Sequence, residues 1–134
     1  MDEVRARGRK VLAEVLGDDY LAQRDARTNT FNAPLREFSE VAAFGTLWSR
    51  PGLPRKTRSM LCLAMLTALN RPHELRMHLA SALNNGCTVE EIQEVLLHTV
   101  AYCGIPATLD AFNVAEAFLR ERGLHPDDHA TPGP

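Results

Sequence analysis

The stretch Arg71-Pro72-His73-Glu74-Leu75-Arg76-Met77-His78 carries the side chains best suited to moving a proton. Pro72 fits the first turn of a helix, where its missing N–H costs nothing. On that helix Glu74 and His78 stand one turn apart and share a face. A carboxylate in that position orients the imidazole and raises its pKa, so that a proton stays available near neutral pH. The same pair would also serve as an ordinary surface contact, worth about a few tenths of a kcal/mol to the helix. His73, at the helix start, fits either a neighbouring binding position or a solvated first turn. His73 and His78 are five residues apart, which turns them about 140° from each other. A zinc-binding pair on a helix needs a spacing of four, so these two do not form one.

Other residues offer chemistry with less definition. His98 lies four residues before Tyr102, and the two fit either a common cleft or an interface. Trp48, the sole tryptophan, fits a core or interface anchor. Arg50, Arg55, Arg58 and Arg71 flank an apolar stretch; a guanidinium grips two carboxylate oxygens at once, although most such arginines are surface charges. Cys62, Cys87 and Cys103 make no C-x-x-C pair, and Cys62 reads as a small buried hydrophobe. Glycine-rich phosphate loops, G-x-S-x-G elbows and zinc-ribbon spacings are absent.

These residues need a scaffold, and the periodicity describes a helical one. From Leu61 to Leu69 the sequence leaves no polar face, which predicts a helix buried on all sides. Asn84-Asn85-Gly86 stops the helix begun at Pro72. Upstream, Val4, Val11, Leu12, Val15 and Leu16 mark a first helix ending at Gly17. Residues 18–33 start with a short helical turn and end in a polar connector; Asn32 then caps a helix carrying Leu35, Phe38, Val41, Ala42, Leu47 and Trp48, broken by Arg50-Pro51-Gly52-Leu53-Pro54. Downstream, Thr88 and Glu91 form a capping box before a stripe of Ile92, Val95, Leu96, Thr99, Val100 and Cys103. Gly104 and Pro106 separate this from a last helix with Leu109, Phe112, Ala115, Phe118 and Leu119 inward. The reading is all-α, about six or seven helices with short antiparallel connections. It forms a single domain over 1–124, with a mobile tail over 125–134.

At 134 residues, 45% hydrophobic and 24% charged, the composition is that of a soluble globular protein. A formal charge of -2 with scattered Lys and Arg argues against nucleic acid as a partner. No apolar run reaches the roughly 18–20 residues of a membrane span. MDEVRARGRK lacks the apolar core of a secretory signal, giving a cytoplasmic expectation. Several helices are apolar on more than one face, which favours a homo-oligomer.

The segment from Arg50 to Phe112, with its strings TALNRPHEL, ALNNG and YCGIPA, resembles the carboxymuconolactone decarboxylase family, and VLGDDY resembles that family's opening. The family belongs to an all-helical superfamily that includes the AhpD proteins. The resemblance implies an AhpD-like helical bundle assembled as a trimer or hexamer. It also implies a carboxy-lyase of protocatechuate catabolism that converts γ-carboxymuconolactone, a small lactone carboxylate, to β-ketoadipate enol-lactone without metal or organic cofactor. Carried over by position, Glu74 and His78 become the acid/base pair and His73 a binding neighbour. Arg58 becomes the carboxylate or oxyanion partner, Trp48 a pocket wall, and Tyr102 a hydroxyl donor. The chain departs from the family pattern at Ala42–Trp48, where AAFGTLW replaces an aromatic-rich segment, and at His98, where glutamine is expected. These departures fit a same-scaffold decarboxylase or isomerase acting on another lactone or acid. A non-catalytic, oligomeric small-acid-binding protein is the further alternative. The AhpD thiol chemistry needs a C-x-x-C on the helix that here holds Arg71 and Glu74, so that chemistry is ruled out.

Overall fold

The computed structural model describes residues 2–129. Among them every regular element is helical and none is a strand, in agreement with the all-α reading. The chain divides after Arg58 into two compact units.

The first unit holds α1 (Glu3–Leu16), α2 (Asp18–Ala26), α3 (Ala33–Ser39) and a π-helical segment, Glu40–Trp48, that continues directly from α3. Asp2 caps α1 by accepting the Arg5 N–H at 2.8 Å, and Val11, Leu12 and Val15 form its buried apolar side. Asn32 stands at the cap position of α3, but its side-chain oxygen accepts from the N–H of Asn29 rather than from the helix.

The single α-helix expected from Leu35 to Trp48 is therefore α in its first half and π in its second. The π segment lies along α1 at a backbone-to-backbone approach that two glycines permit. A Cβ on Gly8 would fall 1.7 Å from the Glu40 carbonyl oxygen, and one on Gly45 would fall 2.5 Å from the Val4 carbonyl oxygen. No side chain fits at either place. Thr46 Oγ1 donates to the Val41 carbonyl, five residues back, at 2.8 Å, as the wider turn allows.

Beneath this contact lies a buried carboxylate. Glu40 Oε2 accepts from Arg5 Nε at 2.6 Å. Its Oε1 accepts from Arg24 Nη1 at 2.7 Å and from Arg9 Nη1 at 2.9 Å. Arg24 is itself buried and also donates to Ser39 Oγ and the Arg36 carbonyl. Burial alone would raise the Glu40 pKa, but the hydrogen bonds from Arg5, Arg24 and Arg9 outweigh it and hold the carboxyl below its ordinary value.

α4 (Arg55–Ala68) runs across the division, and the second unit continues with α5 (Pro72–Asn84), α6 (Val89–His98), α7 (Val100–Cys103) and α8 (Ile105–Glu121). The capping box is present: Glu91 N–H donates to Thr88 Oγ1, and Thr88 N–H donates to Glu91 Oε1, both at 3.0 Å. Leu63, Leu75, Leu79, Ile92, Leu96 and Phe118 lead the apolar core of this unit. Arg76 and Arg122 lay their guanidinium groups over the Phe118 ring, and Arg76 pairs with Glu121.

Two expectations are revised here. The apolar stretch on and just after α4 is not buried on all sides. Ser59, Leu63 and Thr67, at i, i+4 and i+8, are its buried stripe, whereas Leu61, Met65 and Leu69 are 47%, 56% and 66% exposed. Its apolar content serves two opposite faces, and the chain covers one. The expected tail also begins in order: His125 is buried and Pro126–His129 makes a turn of 3-10 helix. Residues 130–134 of that tail lie outside the described residues.

Candidate active site

α5 presents two faces to two environments. Leu75, Leu79 and Ala82 enter the core, while Glu74, at the exposed first turn, faces solvent. His78 stands between these extremes: the residue is half-buried, and its Nδ1 is shielded from solvent without a hydrogen-bond partner.

That placement reverses the expected pKa shift. Desolvation pushes the His78 pKa below its ordinary value of 6.5, and the opposing pull of the Glu74 charge is the smaller effect. The reason is dielectric. Glu74 acts from solvent, where its field is screened, while the ring pays the cost of burial directly. Glu74 does pull the His78 pKa upward, as the spacing suggested, but burial outweighs that pull and the net shift is downward.

The remaining candidates fall as follows. His73 is exposed at the start of α5. Arg58 is partly buried; its Nη2 reaches the Arg50 carbonyl at only 3.4 Å, and its buried Nε has no partner. Trp48 is buried and stacks on Phe44, with ring centroids 6.3 Å apart and planes at 17°. His98 and Tyr102 come together as the spacing suggested, with rings 5.5 Å apart, and both are exposed. His98 also lines an open groove of about 510 Å³ with Met60, Ala64 and Val95 and three glutamates, Glu90, Glu91 and Glu94. Carboxylates so placed repel an anionic ligand.

A polar line that sequence reasoning passed over runs along the His78 face of α5. Asn85 Nδ2 donates to Ser59 Oγ at 2.9 Å and to Ser81 Oγ at 3.2 Å, tying the end of α5 to α4. Residues 74, 78, 81 and 85 follow helical spacing, which was the available signal; Asn85 read instead as part of a helix stop. The three cysteines are free, and burial raises the Cys62 thiol pKa, making it a poor nucleophile. Among the described residues no cluster of three or more His, Cys, Asp or Glu is arranged to hold a metal ion. No helix there is long and apolar enough to cross a membrane.

A profile of the carboxymuconolactone decarboxylase family matches residues 35–117, which include all of α4, α5, α6 and α7. The 4-carboxymuconolactone decarboxylase of Acinetobacter baylyi is 42% identical over 127 residues, covering 94% of this chain and 95% of that protein. The chain belongs to the carboxymuconolactone decarboxylase family. Within its range of relatives, the nitrosuccinic acid decarboxylase of Metarhizium robertsii is 38% identical over 85% of this chain and 80% of its own length. An uncharacterised 15.0 kDa protein of Paracoccus denitrificans is 36% identical over 58% of this chain and 60% of its own. Two carboxymuconolactone decarboxylase relatives thus carry decarboxylase names with different acids as substrates.

Proposed function

We propose that this protein is a carboxy-lyase that releases carbon dioxide from γ-carboxymuconolactone, giving β-ketoadipate enol-lactone without a cofactor. The observation that carries the reading is the near end-to-end match to the Acinetobacter baylyi enzyme. Breaking the C–CO₂ bond leaves an electron pair that spreads through the ring double bond to the lactone carbonyl. The substrate is therefore its own electron sink, and the protein must stabilise the dienolate and return one proton to carbon. His78 is the proposed proton carrier, with Glu74 as its charge partner. Arg58, whose Nε lacks a partner, suits a carboxylate or the developing oxyanion. His73, Trp48 and Tyr102 are retained as secondary binding positions; the glutamates beside His98 make it the weakest of the expected positions for an anionic substrate. The test is loss of ultraviolet absorbance of freshly generated carboxymuconolactone with a chelator present; an inert protein sinks the assignment.

The His78 environment predicts a pH signature. Its folded pKa lies below 6.5. If imidazolium is the active form, kcat/KM, which reports the free enzyme, falls as pH rises through that depressed value. A bound anionic substrate favours the charged ring, so the corresponding limb of kcat lies at higher pH. Glu74→Gln removes the one raising influence and moves the kcat/KM limb further toward acid. Paired pH profiles of wild type and Glu74→Gln check this. A limb unmoved by the substitution argues against the pair.

A second reading, decarboxylation of a different small acid on the same scaffold, is favoured by the relative named for nitrosuccinic acid. Parallel assays with both acids separate the two. We further propose that the protein is a homo-oligomer, because Leu61, Met65, Leu35 and Phe38 leave large apolar surfaces uncovered; that it is a trimer or hexamer is what the family resemblance implies. Light scattering during gel filtration is expected to return at least three times the 14.9 kDa chain mass, and a monomer would refute it.

A further inference from the structure

The second unit contains a cavity of about 280 Å³ that the proposed reaction does not use. It lies between α6, α8 and the turn after α8. Its floor is apolar and buried: Ile92, Leu96, Ala115 and Leu119. Its mouth is acidic, formed by Glu90, Glu116 and Asp127 beside the buried His125. The Asp127 N–H donates to His125 Nδ1 at 3.2 Å, and the ring stands between two carboxylates, its Nε2 3.6 Å from Glu116 Oε1 and its Nδ1 3.9 Å from Asp127 Oδ2. Arg120 sits 3.9 Å from Asp127 but does not line the cavity, and no lysine or arginine does.

The volume is near the lower end for small-molecule pockets, roughly 300–1,000 Å³. An apolar floor takes a hydrocarbon body, and a mouth of carboxylates that no lysine or arginine lines takes a positive charge in preference to a negative one. We infer that this cavity binds a small primary amine, as its ammonium ion, with the apolar body seated on Ile92, Leu96, Ala115 and Leu119 and the charge held by Glu116 and Glu90. A dianionic lactone substrate has no place there. The cavity is therefore a second site of opposite charge preference, and the inference stands independently of the proposed reaction.

The test uses the full chain and three probes that share one ring: benzylammonium, benzyl alcohol and benzoate, titrated by NMR at low salt. Benzylammonium is expected to give saturable shifts at the amides of Ala115 and Leu119, benzyl alcohol weaker ones, and benzoate none. Glu116→Gln, at an exposed position, is expected to weaken benzylammonium by roughly two- to fivefold. Ala115→Leu, which fills the floor, is expected to abolish the shifts. Because that core substitution can disturb folding, the exposed Glu116→Gln variant keeps the inference falsifiable on its own. Added salt is expected to weaken the ammonium and leave the alcohol unchanged. Benzoate binding as well as benzylammonium, absence of saturable shifts, or loss of binding in Glu94→Gln in place of Glu116→Gln would each overturn the inference. The last outcome would place the amine in the neighbouring groove.

Discussion

Replacing His78 with alanine is expected to lower kcat for carboxymuconolactone decarboxylation by about 10²- to 10⁴-fold, the usual range for a general acid or base. The fold is expected to survive. The Nδ1 of this ring is buried without a partner, so alanine removes an unsatisfied polar atom and leaves no broken hydrogen bond behind. Loss of rate with an unchanged melting curve is thus the expected signature. His78→Gln keeps much of the volume and a hydrogen-bonding group but cannot carry the proton, and it is expected to be nearly as slow. The absorbance assay measures both, and rates within about threefold of wild type would remove His78 from the chemistry. An intermediate result in which KM rises and kcat holds would make it a binding residue instead.

Replacing Glu40 with alanine is expected to cost about 3–5 kcal/mol of stability, the range found when one partner of a buried ion pair is removed. Arg24 is the reason. Its side chain is 4% exposed, and the substitution leaves a buried guanidinium without its carboxylate. Arg5 and Arg9 are partly exposed and lose less, because water replaces part of what Glu40 supplied. Glu40→Gln keeps one acceptor oxygen and is expected to cost less than alanine. Urea denaturation of the three proteins checks the order, and equal midpoints would refute the role assigned to this cluster. The pH dependence has a fixed sign. The folded pKa of Glu40 is lowered, so its contribution is present in full above the ordinary carboxyl value of 4.5 and disappears as pH falls through the folded value. Acid sensitivity of wild type should therefore exceed that of Glu40→Gln.

Neither result concerns residues of equal visibility in the sequence. His78 and Glu74 were legible because helical spacing alone places residues 74 and 78 on one face, and Pro72 marks where that helix starts. The capping box at Thr88 and Glu91 and the stop at Gly86, with φ of 98°, were legible for the same reason: both depend on neighbours in the chain. The helical class followed from periodicity throughout. Resemblance in the strings around TALNRPHEL supplied the family, which periodicity cannot.

The tertiary structure decided what depends on distant atoms. Glu40 sits in a polar-looking segment, and nothing local announces that Arg5, Arg9 and Arg24, 35, 31 and 16 residues away, converge on it. The π turn from Glu40 to Trp48 accompanies a glycine contact with α1 that no local pattern encodes. Spacing gave the sign of the Glu74 effect on His78 correctly but not the outcome, because desolvation depends on what packs around the ring. The apolar stretch on and just after α4 likewise revealed its hydrophobicity but not its allocation, with Leu63 inward and Leu61 and Met65 outward. Local sequence fixes which side chains share a face; only packing fixes the dielectric and the partners that each face meets.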